Sequence, residues 1–228
     1  MNLPRTRDVQ GNEVIWMSAH DVSENVSTSS RPTPSAPVPG LADPVPIGIA
    51  GFAMTTFALS CVNAGFFGGT ASTPMVLGLA IFYGGLVQLL AGMWAFRRGE
   101  TFVAVAFSSY GGGFWLSYFF LDYFIVPHLA PSVAGNAVGL YLLCWLIFTF
   151  YMTIAALRTN VAVLAVLATL TATYLLLVLA ELGVAKSSLL PIAGYVGITC
   201  GVAAWYVAFA HVVNATFSRD LVPTWPLT

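Results

Sequence analysis

From residue 46 onward, apolar positions follow one another with little relief, and the first long run, "IGIAGFAMTTFALS", shows almost none of the polar face that a soluble helix would present. Read at about 20 residues per membrane crossing, the pattern predicts six helical spans. They fall at 46–67, 75–96, 102–126, 136–157, 161–182 and 189–213. Short breaks separate them: Gly68-Gly69 and Pro74, Arg97-Arg98-Gly99-Glu100, Pro127 to Pro131, Arg158-Thr159-Asn160, and Gly183 to Ser188. The fold class is therefore all-α, a polytopic membrane protein with six transmembrane helices. The stretch "SENVSTSSRPTPSAPVPG" is different, because its Ser, Thr and Pro cannot bury enough surface to offset the entropy of ordering. Residues 1–41 are expected to form a disordered tail, 42–217 the six-helix domain, and 218–228 a short second tail. Val14-Ile15-Trp16-Met17 is too short an apolar cluster for a signal peptide.

Composition strengthens this reading. The chain is 58% hydrophobic and 7% charged, against roughly 25% charged in soluble domains. Counting breaks from the tail, one side of the membrane receives Arg31, Arg97, Arg98, Arg158 and Arg219, and the other only Lys186. The positive-inside rule then places both termini in the cytoplasm. The sequons at Asn25 and Asn214 would lie on that same, unglycosylated side. No basic patch with interleaved aromatics supports nucleic-acid binding. Cys61, Cys144 and Cys200 are far apart in apolar runs and read as buried small hydrophobes, not metal ligands. No nucleophile–base pair, HExxH or phosphate loop is present, so no enzyme, metal or cofactor is expected.

Polar groups inside spans are expensive and tend to face a pathway or a partner. The first span carries Thr55, Thr56, Ser60 and Asn63, the second Gln88, and the third opens on Ser108-Ser109-Tyr110. Thr149 and Thr153 lie in the fourth, and Thr169, Thr171, Thr173 and Tyr174 in the fifth. Each Thr can also bond its own helix, but together these groups suggest a narrow, mostly uncharged conduit. Asp122, His128, Glu181 and Lys186 fall near span ends, with Glu181 and Lys186 able to pair; His211 reads as interfacial. Gly78, Gly85 and Gly92 recur every seven residues and predict one close-packing face, widened by Gly84.

At the mouth of the first span, "DPVPIGIAGFAMTT" resembles the N-P-A-P-L-G-L-x-G-F-G-x-T-T signature of the acetate uptake transporter, or succinate–acetate permease, family. The likeness continues through "IFYGGLVQLLAGMW", "TFVAVAFSSYGGGFWLS", "GLYLLCWLIFTF", "GVAAWY" and "VNATFSRDLVP", covering about residues 43–223. The resemblance implies a homo-hexamer in a bacterial inner or fungal plasma membrane, with one pore per subunit for acetate and similar small carboxylates. It implies a constriction at Phe52, Tyr110 and Leu170. Thr55, Thr56, Asn63 and Gln88 are candidates to line the route, and Asp43, Pro44, Pro46 and Gly48 form the pore-mouth signature. Two positions depart from the family: Asp43 stands for the leading Asn, and Ala95 in "AGMWAF" for a Glu. Pro44 and Pro46 suit a first helical turn, Asp43 can cap it, and the free amides beyond favour an anion. Ammonium export and a six-span sensor are the alternative functions.

Overall fold

A computed structural model describes residues 5–7, 13–15 and 40–227 of the chain. It divides into two units, Met1–Val38 and Pro39–Thr228. In the first, β1 (Arg5–Arg7) pairs antiparallel with β2 (Glu13–Ile15), Arg5 opposite Ile15. Three-residue strands leave no periodicity long enough to read from sequence. The rest of the expected tail up to residue 39, with Arg31 and Asn25, lies outside the described residues.

The second unit is helical. Its α-helices are α1 (Val45–Asn63), α2 (Thr73–Ile81), α3 (Gln88–Arg98), α4 (Thr101–Ser108), α5 (Leu116–Phe120), α6 (Pro131–Ala156), α7 (Val161–Glu181) and α8 (Lys186–Phe217). Helices are the natural solution for a chain in lipid, because each satisfies its own backbone groups. Among the described residues, five continuous helical runs are long and apolar enough to cross a membrane: Val45–Asn63, Phe66–Arg98, Pro131–Ala156, Val161–Glu181 and Lys186–Phe217. The sixth expected span is helical over 101–125, but Ser, Tyr and Gly at its centre make it less apolar than the others.

The spans are not uniformly α-helical. π-helical turns interrupt two of them, Phe82–Val87 between α2 and α3 and Ser109–Trp115 between α4 and α5, and a third, Leu121–Ile125, follows α5. The first two turns pack against each other. Gly111 makes this possible, since a Cβ there would sit 2.5 Å from the Leu89 amide nitrogen and 2.9 Å from the Gly85 carbonyl oxygen.

The π turn also alters the expected glycine stripe. Gly85 meets the Leu116 side chain and Gly92 the Ser108 backbone, so both face the third span. Gly84 instead faces Thr55 of α1, and a Cβ on Gly78 would meet nothing within 4 Å. A π turn holds more residues than an α turn, so a seven-residue spacing carried across it no longer returns to one face. A seam that the heptad search overlooked lies on α8. There Gly194, Gly197 and Gly201 pack against Ala64, Ser60 and Phe57 of α1, and the Gly197-x-x-x-Gly201 spacing is the small-residue pattern of close helix pairs. Cys61 and Cys200 are buried as expected, whereas Cys144 is exposed on the outward side of α6. Apolar composition alone cannot distinguish a core-facing from a lipid-facing cysteine.

The segment after α8 folds back as a strap. Asn214 donates from Nδ2 to the Val222 carbonyl and accepts the Leu221 and Val222 amides on Oδ1, each at 2.9 Å. Tyr206 donates to the Pro223 carbonyl at 2.6 Å, and its ring stacks on Trp225 with centroids 5.9 Å apart. The strap then reaches the start of α7, where the Val161 amide donates to the Trp225 carbonyl at 2.9 Å. It thus satisfies helix-terminal donors that α7 leaves open.

Two outcomes test this packing. Gly85→Leu should destabilise the detergent-solubilised protein by about 2 kcal/mol or more, as overpacking does, while Gly78→Leu should change stability by about 0.5 kcal/mol or less. Thermal melts of the two variants compare them directly. Asn214→Ala, which strands three strap partners, should cost about 1–3 kcal/mol and expose the chain after residue 217 to limited proteolysis.

Candidate functional site

The paired π turns bring two polar side chains to the middle of the bundle. Tyr110 lies in the second turn and Gln88 directly follows the first. Both are buried, Gln88 with 1% of its surface exposed. Phe52 of α1 meets Tyr110 with ring centroids 5.8 Å apart, and Leu170 of α7 belongs to the same buried cluster. The structure therefore gathers all three expected constriction residues in one apolar core.

Tyr110 is held from the α6 side. Its hydroxyl donates to Thr149 Oγ1 at 3.0 Å, and the Phe148 ring stands edge-on at 5.2 Å. That phenolic proton is already committed within the protein. Gln88 is the opposite case, since both Nε2 and Oε1 are buried with no hydrogen-bond partner in the protein.

Two cavities flank the constriction. One, of about 70 Å³, is lined by Val45, Ile49, Phe52, Gln88, Phe107 and Tyr110 among others, with Val163, Val166 and Leu167 of α7 closing it. The other, of about 820 Å³, is lined by Leu59 and Asn63, by Phe114, Tyr118 and Asp122, and by Leu177 and Glu181. Along α1, the third span and α7, the small cavity takes residues up to Phe52, Tyr110 and Leu167, and the large one takes residues beyond them; Gln88 of the second span also lines the small one. Leu170 falls between the two sets.

The remaining candidates divide by position. Asn63 borders the large cavity, about 16 Å along α1 from Phe52 at 1.5 Å per residue. Thr55 turns its hydroxyl back onto the Gly51 carbonyl at 2.9 Å and packs under Gly84. Thr56 is buried with its hydroxyl unpartnered, and neither threonine borders the two cavities. Gly48 lets α1 approach its neighbours, since a Cβ there would lie 2.5 Å from the Phe107 ring. Phe107, Phe114 and Thr149 complete the lining and its support. Phe107 and Phe114 fall one turn either side of Tyr110 in sequence, a signal that the aromatic richness of the third span obscured.

At the α1 mouth, Pro44 occupies the cap position and Pro46 the first turn, one residue later than a Pro44 start would place the helix. Asp43 accepts the Val45 amide on Oδ1 at 2.9 Å, and its other oxygen, Oδ2, lies 3.0 Å from His211 Nδ1 on α8. Burial pushes this carboxyl up, but the His211 and Val45 hydrogen bonds and the positive charges of His211 and Arg98 outweigh it. The Asp43 carboxyl is held below its ordinary value of 3.8 and stays ionised at neutral pH. Arg98 donates to the Leu41 carbonyl at 2.9 Å and pairs with Glu100 at 2.7 Å. At the far end, Lys186 pairs with Glu181 at 2.7 Å across the turn, as its spacing suggested.

Comparison with known proteins follows this geometry. The GPR1/FUN34/yaaH family profile matches residues 27–228. The chain is 36% identical over 185 residues to the succinate-acetate/proton symporter SatP of Escherichia coli strain K12, covering 80% of this chain and 95% of that one. It is 38% identical over 196 residues to ammonia transport outward protein 2 of Saccharomyces cerevisiae, covering 82% and 67% respectively. Among solved structures, that of the bacterial acetate channel SatP superposes with a TM-score of 0.73 at 34% identity, covering 81% of this chain and 99% of that chain. A multi-span helical bundle and these matches together place the chain in the GPR1/FUN34/yaaH family of membrane transport proteins.

Proposed function

We propose that the chain passes acetate and related short-chain carboxylates across the membrane through a conduit within each subunit, with Phe52, Tyr110 and Leu170 as its narrowest point. It is a transporter, not an enzyme, as its relatives are. The observation that carries the proposal is a pair of cavities at successive levels of the same helices, with the buried Phe52–Tyr110 contact at the inner end of the small one.

The chemistry of the small cavity suits a small carboxylate. Its walls are apolar, so a charged group there needs a donor to offset desolvation. The Tyr110 hydroxyl donates to Thr149, which leaves the unpartnered Gln88 amide, beside the same wall, as the group that would turn to donate to a carboxylate oxygen. A cavity of about 70 Å³ has room for a ligand of a few heavy atoms. A second carboxylate on the ligand would have to be desolvated without a second donor. Thr56, Thr55 and Asn63 then take different parts: Asn63 faces the large vestibule, and the two threonines support α1.

Orientation follows from charge. The ends carrying Arg97 and Arg98, Arg158 and Arg219 meet at the α1 mouth, joined by the Arg98–Leu41, Asp43–His211 and Leu227–Thr159 contacts, and Lys186 lies at the opposite end. The positive-inside rule assigns the α1 mouth to the cytoplasm, with residues 42–217 as the membrane domain and a cytoplasmic segment at either end. The family resemblance supports a hexamer with six such conduits. Ammonium is the second reading, drawn from Asp122 and Glu181 in the large vestibule and from the yeast relative. The Glu181 charge, however, is balanced by Lys186.

Radiolabelled acetate uptake into proteoliposomes tests the proposal. Saturable uptake is expected, while binding without flux would restore the sensor reading and selective ammonium flux the second one. Gln88→Leu should raise the Michaelis constant for acetate about 10- to 100-fold, the worth of a hydrogen bond to a charged group. Tyr110→Phe, by contrast, should change it about threefold or less, because the hydroxyl serves Thr149. Phe52→Ala should widen the passage and admit longer carboxylates, read as uptake of butyrate relative to acetate.

A further inference from the structure

Asp43 stands where the family carries Asn, and the structure gives this departure a partner. Asp43 joins two helices: one carboxylate oxygen takes the first amide of α1, and the other faces His211 near the end of α8. The side chains of the pair are about one-third exposed, 34% for Asp43 and 30% for His211, so the pair remains in contact with solvent protons. Only Pro44 separates Asp43 from Val45, which forms part of the wall of the small cavity. The charge state of the pair is therefore felt where an anion enters the conduit.

We propose that His211 is a positioning residue for transport, acting through Asp43 as a proton-dependent charge switch at the α1 mouth. The proposal rests on acetate being the substrate. The other charged groups facing the pair are Arg98 of α3 with its partner Glu100, and Arg219 and Asp220 of the strap, which line a polar cavity with Asp43 and His211. Asn214, Ser218 and Thr224 also line it, but carry no charge. The charged groups Arg98, Glu100, Arg219 and Asp220 stay fixed, and Arg97 and Arg158 add positive charge at the same end, so the pair does not set the sign of the mouth but changes its charge by one unit. Loss of the imidazolium proton lowers that charge by one and weakens the pull on an incoming anion. In both states Nδ1 can donate to Asp43, as imidazolium or as the Nδ1–H tautomer, so α1 stays tied to α8 while the charge changes. Histidine is the side chain suited to this, because its charge changes between about pH 5 and 8.

The sign follows directly. Raising pH removes the positive member of the pair, leaves Asp43 uncompensated, and weakens acetate capture at the mouth. One charge at about 10 Å, between protein and water in dielectric, alters capture about two- to tenfold, less in high salt. The constriction lies deeper, so the maximal rate should be nearly unaffected.

Two fixed-charge variants isolate the switch. His211→Asn keeps a donor toward Asp43 without a titratable charge, and His211→Arg keeps the positive charge at every pH. Acetate uptake by proteoliposomes, with equal pH on both faces, is measured for these and the parent protein at pH 5.5 and 7.5. Ratios taken at one pH divide out the titration of acetate itself. Relative to the two fixed-charge variants, the parent should move from the His211→Arg side toward the His211→Asn side as pH rises, by up to about two- to tenfold in the Michaelis constant. His211→Gln repeats the neutral arm should His211→Asn insert poorly. A parent that tracks one variant at both pH values, or a change confined to the maximal rate, overturns the switch alone. A parent protein without acetate flux overturns the transport reading and this inference with it.

Discussion

The contact between two π-helical turns governs the centre of this protein. Where Phe82–Val87 meets Ser109–Trp115, backbone lies on backbone, and only glycine at Gly111 permits it. Within a bilayer there is no hydrophobic drive to press helices together, so close packing of small residues has to supply the association. A π turn also widens the helix and turns the residues beside it away from the regular α face. That displacement aims Tyr110 at Phe52 and leaves Gln88 beside the small cavity. The Phe52–Tyr110 contact and the unpartnered Gln88 amide both lie beside this one backbone contact.

Around that contact, polarity is sorted by position. Most threonine hydroxyls bond carbonyls one turn back in their own helix, as Thr55, Thr169, Thr171 and Thr173 do. They cross the bilayer at little cost and offer nothing to a solute. Gln88 has no such local partner and lies unpaired beside an otherwise apolar wall. Charges gather at the two ends instead. There they pair as Asp43 with His211, Arg98 with Glu100, and Lys186 with Glu181, each with access to water. The paired charges thus lie at the ends, and the middle of the bundle is apolar with one unpartnered amide among the described residues.

Much of this was legible beforehand, for identifiable reasons. Length and unbroken apolarity predicted the spans, because a bilayer imposes a fixed height on any helix. The Glu181–Lys186 pair was readable because it is a local contact across one turn. Phe52 and Tyr110 came from motif likeness, not from any physical signal in the sequence, since sixteen phenylalanines and nine tyrosines offer many equivalent choices. The glycine stripe was half right. Gly85 and Gly92 pack as expected, but Gly78 does not, because the π turn breaks the period on which the reading depended.

The sequence by itself determined that this chain enters a membrane as a helical bundle with arginines toward one side. Those properties depend on composition and on spacing along the chain, which need no knowledge of neighbours. Tertiary structure alone decided which polar groups are spoken for. Thr149 accepts the Tyr110 hydroxyl from 39 positions away, and His211 reaches Asp43 across 168. The strap that closes over α7 is equally distant from its partners in sequence. Whether a hydroxyl, an amide or a carboxylate is free to meet a solute depends on such contacts, and chain spacing carries no information about them.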